Sequence, residues 1–365
     1  MGMINDIFRT YGPEYLRIYG ETMPTEHKKV IAAIINCRTE GNGSFVYRCE
    51  KCGETHVVHR SCGNRHCPQC QGHKTRLWIE RQLGRQLPGH HFMVTFTVPG
   101  EIRPFMRSHQ RLTYAALFVA SASAISILTE NPKFVGSDIS GFFGVLHTWG
   151  RQLQYHPHIH YVVPGGALSS QDGLWHPSNS AFYLPVKALS LIFRAKFRDR
   201  MEKAGFLNEI STEAWQKSWN VNCRAVGDGR ASIKYLARYV FRVAITDSRI
   251  IKVEDGKVFF RYKKQKSNRL RTMELETAEF IRRFLQHVLP TGFMKVRYYG
   301  FLSPTSKVTL DEVRAKIELA YGFEVAEPAA ELEPLQPMKC RQCGWTLKYI
   351  FFILPNRNIQ GGPSG

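Results

Sequence analysis

The stretch HPHIHYVVPGGALS, residues 156–169, decides how the rest of the chain is read. Ile159, Tyr161, Val162 and Val163 give it the β-branched and aromatic content of a strand, and Pro164-Gly165-Gly166 stops it. In a strand, alternate side chains share a face. His158 and His160 therefore point the same way, and Ile159 points into a core. Two residues of strand separate their Cα atoms by about 6.6 Å, a reach that suits one shared divalent ion. His156 has the same parity but stands about 13 Å from His160. Imidazoles on an apolar strand are costly to bury without partners, so the alternative is a pair of hydrogen-bonded structural histidines. The two glycines that follow leave room for a DNA strand to approach closely.

Around this strand, periodicity predicts an α+β chain. HFMVTFTVP (91–99), GFFGVLHTWG (141–150), WNVNCRAV (219–226) and MKVRYYGFL (294–302) read as strands. Residues 245–263 read as a hairpin turning at Asp255-Gly256. Helices are predicted over residues 1–35 with a break at Gly12-Pro13, over 74–87, 104–129 and 185–204, from Ser232, and over 277–289. Thr309-x-x-Glu312 caps a last helix that ends at Gly322. Four segments are expected: an N-terminal helical part (1–36), a cysteine-rich domain (37–73), a mixed domain (74–305), and a C-terminal helical part with a Cys-x-x-Cys and a flexible tail (306–365).

The 365 residues carry 50 Lys and Arg against 30 Asp and Glu, a formal charge of +20. Such a surplus attracts a polyanion, and nucleic acid is the partner it fits. A 43% hydrophobic content excludes a mostly disordered chain. The first thirty residues contain charges throughout and no secretory apolar run, so the cytoplasm and its nucleoid are the expected location.

Six of the nine cysteines lie between Cys37 and Cys70. Clustered, closely paired cysteines in such a compartment point to metal rather than disulfides. Cys49-x-x-Cys52 and Cys67-x-x-Cys70 supply four thiolates for a tetrahedral structural Zn2+. Cys37, His59, Cys62 and His66 either form a second zinc site or play smaller roles, as buried apolar groups and a phosphate contact. Cys340-x-x-Cys343-Gly344 is half a knuckle with no second half after it. It completes a site elsewhere, bridges subunits, or binds nothing.

SIKYLARYV (232–240) places Tyr235 and Tyr239 on one helical face. Arg230, Lys234, Arg238 and Arg242 lie close by as candidate phosphate contacts. Lys263, Lys264, Lys266 and Arg269, in KKQKSNRLR (263–271), are either a DNA-binding hairpin flank or a solvated loop.

Four segments occur in order: SCGNRHCPQCQ (61–71), HPHIHYVVPGGALS, VGDGRASIKYLARYVFRVAI (226–245) and HVLPTGFMKVRYYGFLS (287–303). With them the chain resembles the HUH transposases of the IS91 and ISCR group, whose members carry two or one catalytic tyrosines. The resemblance spans roughly residues 25–305. It implies an HUH nuclease core, a central antiparallel β-sheet flanked by helices, preceded by a zinc-binding module. It also implies a metal-dependent single-strand endonuclease and strand transferase that forms a covalent 5′-phosphotyrosine during rolling-circle-like transposition. His158 and His160 match the metal ligands, and Tyr235 and Tyr239 the nucleophiles; Tyr239 is slightly preferred, although spacing does not rank them. The catalytic ion would be Mg2+ or Mn2+, whose remaining ligands are phosphate oxygens and water. His91 is the first candidate for a third ligand, followed by His156, Asp228 and Glu202. Expected partners are single-stranded DNA at transposon ends, hairpins included, and target DNA, with the chain monomeric or dimeric. The alternative is a non-catalytic zinc-containing DNA-binding protein derived from such a nuclease.

Overall fold

The computed structural model describes residues 2–240, 244–264, 267, 269–322 and 336–355, with only the backbone of Arg238 and Tyr239. The chain divides into two compact units, each assembled from stretches that are separate in sequence. One unit is made of Thr75–Val240 and Leu289–Ala330, the other of Met1–Lys74, Phe241–Val288 and Glu331–Gly365, as far as these residues are described.

The first unit is built on a five-stranded sheet. Its strands are β1 (His91–Thr97), β2 (Gly141–Trp149), β3 (Tyr155–Pro164), β4 (Asn220–Ala225) and β5 (Val296–Gly300), in the order β5-β2-β3-β1-β4. Every neighbouring pair is antiparallel. β3 is central and pairs with both β2 and β1. The register slips between His147 and Trp149 as β2 passes the part of β3 that contains Pro157, which has no N–H to donate.

One face of this sheet carries Phe92, Val94, Phe96, Phe142, Leu146, Ile159 and Tyr161, all buried in one apolar cluster. Helices α1 (Gln110–Glu130) and α2 (Val186–Lys203) join that cluster through residues such as Leu117, Ile125, Phe193 and Phe197. Three hydroxyl pairs lie in this core: Tyr161 with Ser121 at 2.7 Å, Tyr114 with Tyr155 at 2.7 Å, and Tyr183 with Thr129 at 2.9 Å. α1 is apolar and long enough to cross a membrane, but two thirds of its most apolar window is buried in this core. The helix predicted over 104–129 is two helices, because His109 leaves the helical region with φ −120° and ψ 46°.

β2 and β3 approach closely at Gly144, where a Cβ would lie 2.4 Å from the Tyr161 ring. The Gly165-Gly166 exit is buried, not open to DNA. A Cβ at Gly165 would meet the His90 ring at 2.1 Å, and one at Gly166 the Trp175 ring at 2.5 Å. These glycines serve packing.

The second unit contains helices Met3–Tyr19 and Thr25–Ile35 and two three-stranded sheets. The predicted break at Gly12-Pro13 does not occur. Gly12 is buried, and a Cβ there would stand 3.1 Å from Ile35, so close helix packing offsets the local cost of Pro13. The hairpin Ile250–Glu254/Lys257–Lys263 turns at Asp255 (φ 50°) and Gly256 (φ 71°), as predicted, and Leu270–Glu276 adds a third strand. The other sheet joins Ser44–Cys49 to Thr55–His59 on one side and to Leu347–Ile353 on the other. That last strand was not anticipated from sequence.

Candidate active site

The sheet face opposite the apolar core holds the histidines. His158 of β3 lies directly across from His147 of β2, and His160 lies across from Val145 of β2 and Thr95 of β1. One ring nitrogen from each of His147, His158 and His160 falls within 4.8 Å of the others. Ring centroids are 4.6 Å apart for His147–His160, 4.9 Å for His158–His160 and 5.2 Å for His147–His158. The third imidazole is therefore His147, which sequence reasoning missed.

The candidates named for that position go elsewhere. His91 is at the far end of β1, opposite Pro164. Its N–H donates to the Gly227 carbonyl and its carbonyl accepts from Val226 N–H, fixing the turn before the tyrosine helix. Burial pushes its imidazole down to about 4. His156 packs its ring 5.0 Å from His158 but offers that residue its backbone carbonyl, not a place in the cluster. Asp228 faces Arg230 at 3.4 Å, and Glu202 belongs to α2 on the core side of the sheet.

Electrostatics keep the three rings neutral. Burial pushes His158 down to about 4. Burial first, then the neighbouring imidazoles, hold His147 and His160 well below the usual histidine range. Arg103 adds to this at His158, Arg224 at His160 and Lys295 at His147. Neutral imidazoles present lone pairs to a metal, and the surrounding cations suit a phosphate. Arg103, Arg224 and Lys295 were absent from the sequence expectations.

Two hydrogen bonds aim the rings. His158 Nδ1 meets the His156 carbonyl at 2.7 Å, and His160 Nδ1 meets Thr95 Oγ1 at 2.8 Å. In both rings Nε2 is the remaining nitrogen. Three inward imidazoles with two Nδ1 atoms engaged form a donor set that fits a divalent ion.

The tyrosine helix, α3 (Arg230–Val240), lies over this face. It buries Ile233, Leu236 and Ala237 and exposes Lys234 and Tyr235. The Tyr235 ring stands 6.3 Å from the His160 ring, nearly perpendicular at 87°. The side chains of Tyr239 and Arg238, and all of Arg242 and Lys266, lie outside the described residues. Arg230 and Lys234 are exposed on α3. Lys263, Lys264 and Arg269 belong to the other unit, at the adjoining ends of its strands Lys257–Lys263 and Leu270–Glu276, where Lys264 N–H donates to the Arg269 carbonyl.

The cysteines do not pair as the spacing predicted. Cys67 and Cys70 join Cys37 and Cys62, whereas Cys49 and Cys52 join Cys340 and Cys343. In each group the sulfurs lie within 4.8 Å of one another. His59 is not a ligand candidate: it hydrogen-bonds Ser44 Oγ at 2.8 Å within the hairpin. His66 also stays out of the group, which four thiols already fill. These clusters support zinc binding, since soft thiolates in a tetrahedral set suit that ion.

The sheet, its His-x-His strand and the cysteine module define an HUH-type nuclease core with a zinc-binding domain. Two family models match the chain: one described as "Transposase zinc-binding domain" over residues 7–98 and one described as "Putative transposase" over residues 141–309. Neither reaches Cys340 or Cys343. A protein of Sinorhizobium fredii described as "Putative transposase y4qJ" is 38% identical over 351 residues, covering 91% of this chain and 87% of that one. The transposase for insertion sequence element IS801 of Pseudomonas savastanoi pv. phaseolicola is 27% identical over 356 residues, covering 89% and 83%. No solved structure matches. The chain belongs to the IS91/ISCR group of HUH transposases.

Proposed function

We propose that this transposase cuts and rejoins single-stranded DNA at transposon ends through a covalent 5′-phosphotyrosine, in rolling-circle-like transposition. The observation that carries the reading is the Tyr235 ring 6.3 Å from His160, beside three clustered neutral imidazoles. His147, His158 and His160 would hold Mn2+ or Mg2+; an all-nitrogen protein set favours Mn2+ of the two, because Mg2+ prefers oxygen ligands. When bound, the ion polarises the scissile phosphate.

The chain's own groups do the remainder. Arg103, Arg224 and Lys295 supply positive charge around the histidines, which suits a phosphate held there. The Tyr235 oxygen attacks phosphorus, its proton passing to solvent. The bond from phosphorus to the 3′ oxygen breaks, and that oxygen leaves as a 3′-hydroxyl. A second 3′-hydroxyl then attacks the phosphotyrosine, and the phenol departs. One phosphodiester is exchanged for another, so no external energy is required. Tyr239, one helical turn on, would serve a second transfer.

The test is a transposon-end oligonucleotide incubated with the full chain and Mn2+. An SDS-resistant protein–DNA adduct is expected from the wild type, and Tyr235→Phe should cut its yield at least tenfold. An adduct of normal yield in Tyr235→Phe, lost instead in Tyr239→Phe, would transfer the first role to Tyr239. No adduct on either strand with any divalent ion would defeat the reading.

A further inference from the structure

The two Cys-x-x-Cys-Gly segments farthest apart in the chain are built alike. In the first, Cys49 N–H donates to the Glu54 carbonyl, Gly53 N–H donates to the Cys49 carbonyl, and Gly53 sits at φ +74°. In the second, Cys340 N–H donates to the Trp345 carbonyl, Gly344 N–H donates to the Cys340 carbonyl, and Gly344 sits at φ +73°. Each glycine occupies the left-handed region that a side chain resists. Cys67-x-x-Cys70 is followed by Gln71 and lacks this signature.

The two knuckles face each other. Cys49 Sγ is 3.4 Å from Cys343 Sγ, and Cys52 Sγ is 3.6 Å from Cys340 Sγ. A tetrahedral ion with bonds to sulfur of about 2.3 Å holds its sulfurs about 3.8 Å apart, whereas a disulfide needs about 2.05 Å. His56 Nε2 stands 3.2 Å from Cys340 Sγ, placed to donate a hydrogen bond to a thiolate. The strand Leu347–Ile353 then runs antiparallel to Ser44–Cys49, with Leu347 opposite Cys49 and Ile353 opposite Ser44. Lys348–Glu50 at 2.9 Å and Lys51 over the Trp345 ring at 5.5 Å tie the same edges.

We propose that Cys49, Cys52, Cys340 and Cys343 bind a second structural zinc, closing a ribbon whose two halves come from opposite ends of the chain. The N-terminal module is then incomplete without residues 336–355, and it cannot close until residue 343 has been synthesised. This inference is independent of the nuclease chemistry, which uses none of these residues.

The experiment compares EDTA-dialysed full-length wild type with Cys340→Ser/Cys343→Ser. Zinc is counted by elemental mass spectrometry, and thiols are mapped by iodoacetamide labelling. The variant is expected to hold one zinc fewer per chain. Its Cys49 and Cys52 should become labelled at least tenfold faster, while Cys37, Cys62, Cys67 and Cys70 stay protected. Equal zinc content with Cys49 and Cys52 still protected overturns the proposal, as does a wild-type intact mass showing these cysteines as disulfides. Should the variant fail to fold, cobalt substitution of the wild type decides. Two tetrathiolate cobalt ions per chain support the second site, and a single one overturns it.

Discussion

Replacing Thr95 by Val tests the proposed metal site without touching any of the three clustered imidazoles. Thr95 Oγ1 lies 2.8 Å from His160 Nδ1, and His160 is one of the three clustered imidazoles. When Nε2 faces an ion, Nδ1–H donates to this hydroxyl, which fixes both tautomer and ring angle. Valine keeps the branched shape and the strand preference but removes the acceptor. The equivalent support of His158 is the His156 backbone carbonyl, which no side-chain substitution deletes. Losing such an orienting partner typically weakens metal binding 10- to 100-fold, about 1.4–2.7 kcal/mol. Folding should lose about 1 kcal/mol for the missing hydrogen bond. The assay is adduct formation against Mn2+ concentration. Half-saturation should rise by that 10- to 100-fold factor, with the rate at saturating Mn2+ within a few-fold of wild type, and Thr95→Ser should restore it. A Thr95→Val half-saturation equal to the wild type's would refute the reasoning that His160 is aimed at an ion by Thr95.

Acid should destabilise the fold through the three buried imidazoles. His158 is held at about 4 by burial, against about 6.5 in an unfolded chain, and His147 and His160 are shifted the same way. Their folded-state values are depressed, so their contribution to stability is complete above about pH 6.5 and is lost as pH falls toward 4. The urea midpoint should drop between pH 7 and pH 5, while the Mn2+ affinity of the folded protein should hold over that range and fall only as pH approaches 4; a midpoint flat between pH 7 and pH 5 would contradict neutral buried imidazoles. Gly144→Ala should cost about 1–3 kcal/mol, because its Cβ meets a buried Tyr161 ring that is hydrogen-bonded to Ser121 and cannot turn aside. A thermal midpoint unchanged within a degree would show that β2 and β3 have slack there. Lys295→Met should lower adduct yield more at high salt than at low salt, where the remaining cations still hold DNA. Equal loss at both salt levels would argue that Lys295 acts on folding, not on the phosphate.

Much of this was legible in linear order. Alternation alone placed His158 and His160 on one face and Ile159 in the core, and both hold. The Asp255-Gly256 turn and the Thr309 cap also stand, with Glu312 N–H donating to Thr309 Oγ1 at 3.2 Å. His147 was within reach of counting. β2 and β3 are joined by Gly150–Gln154, and a hairpin that short places His147 opposite His158. The signal was a lone imidazole in the otherwise apolar GFFGVLHTW, and strand parity across the turn would have found it.

The sequence by itself determined which local shapes were possible and which chemistry each residue brought: strand periodicity, caps, left-handed glycines, soft thiolates and a basic surface. Those properties follow from steric and electronic preferences within a few residues. Only the tertiary structure decided which distant pieces meet. Spacing favoured Cys49 and Cys52 with Cys67 and Cys70 because fourteen intervening residues make a cheap loop. The fold instead brings Cys52 and Cys340 together across 288 positions. Loop-closure entropy rises only with the logarithm of length, so a strand pairing along Ser44–Cys49 and matched knuckle geometry can override proximity in sequence.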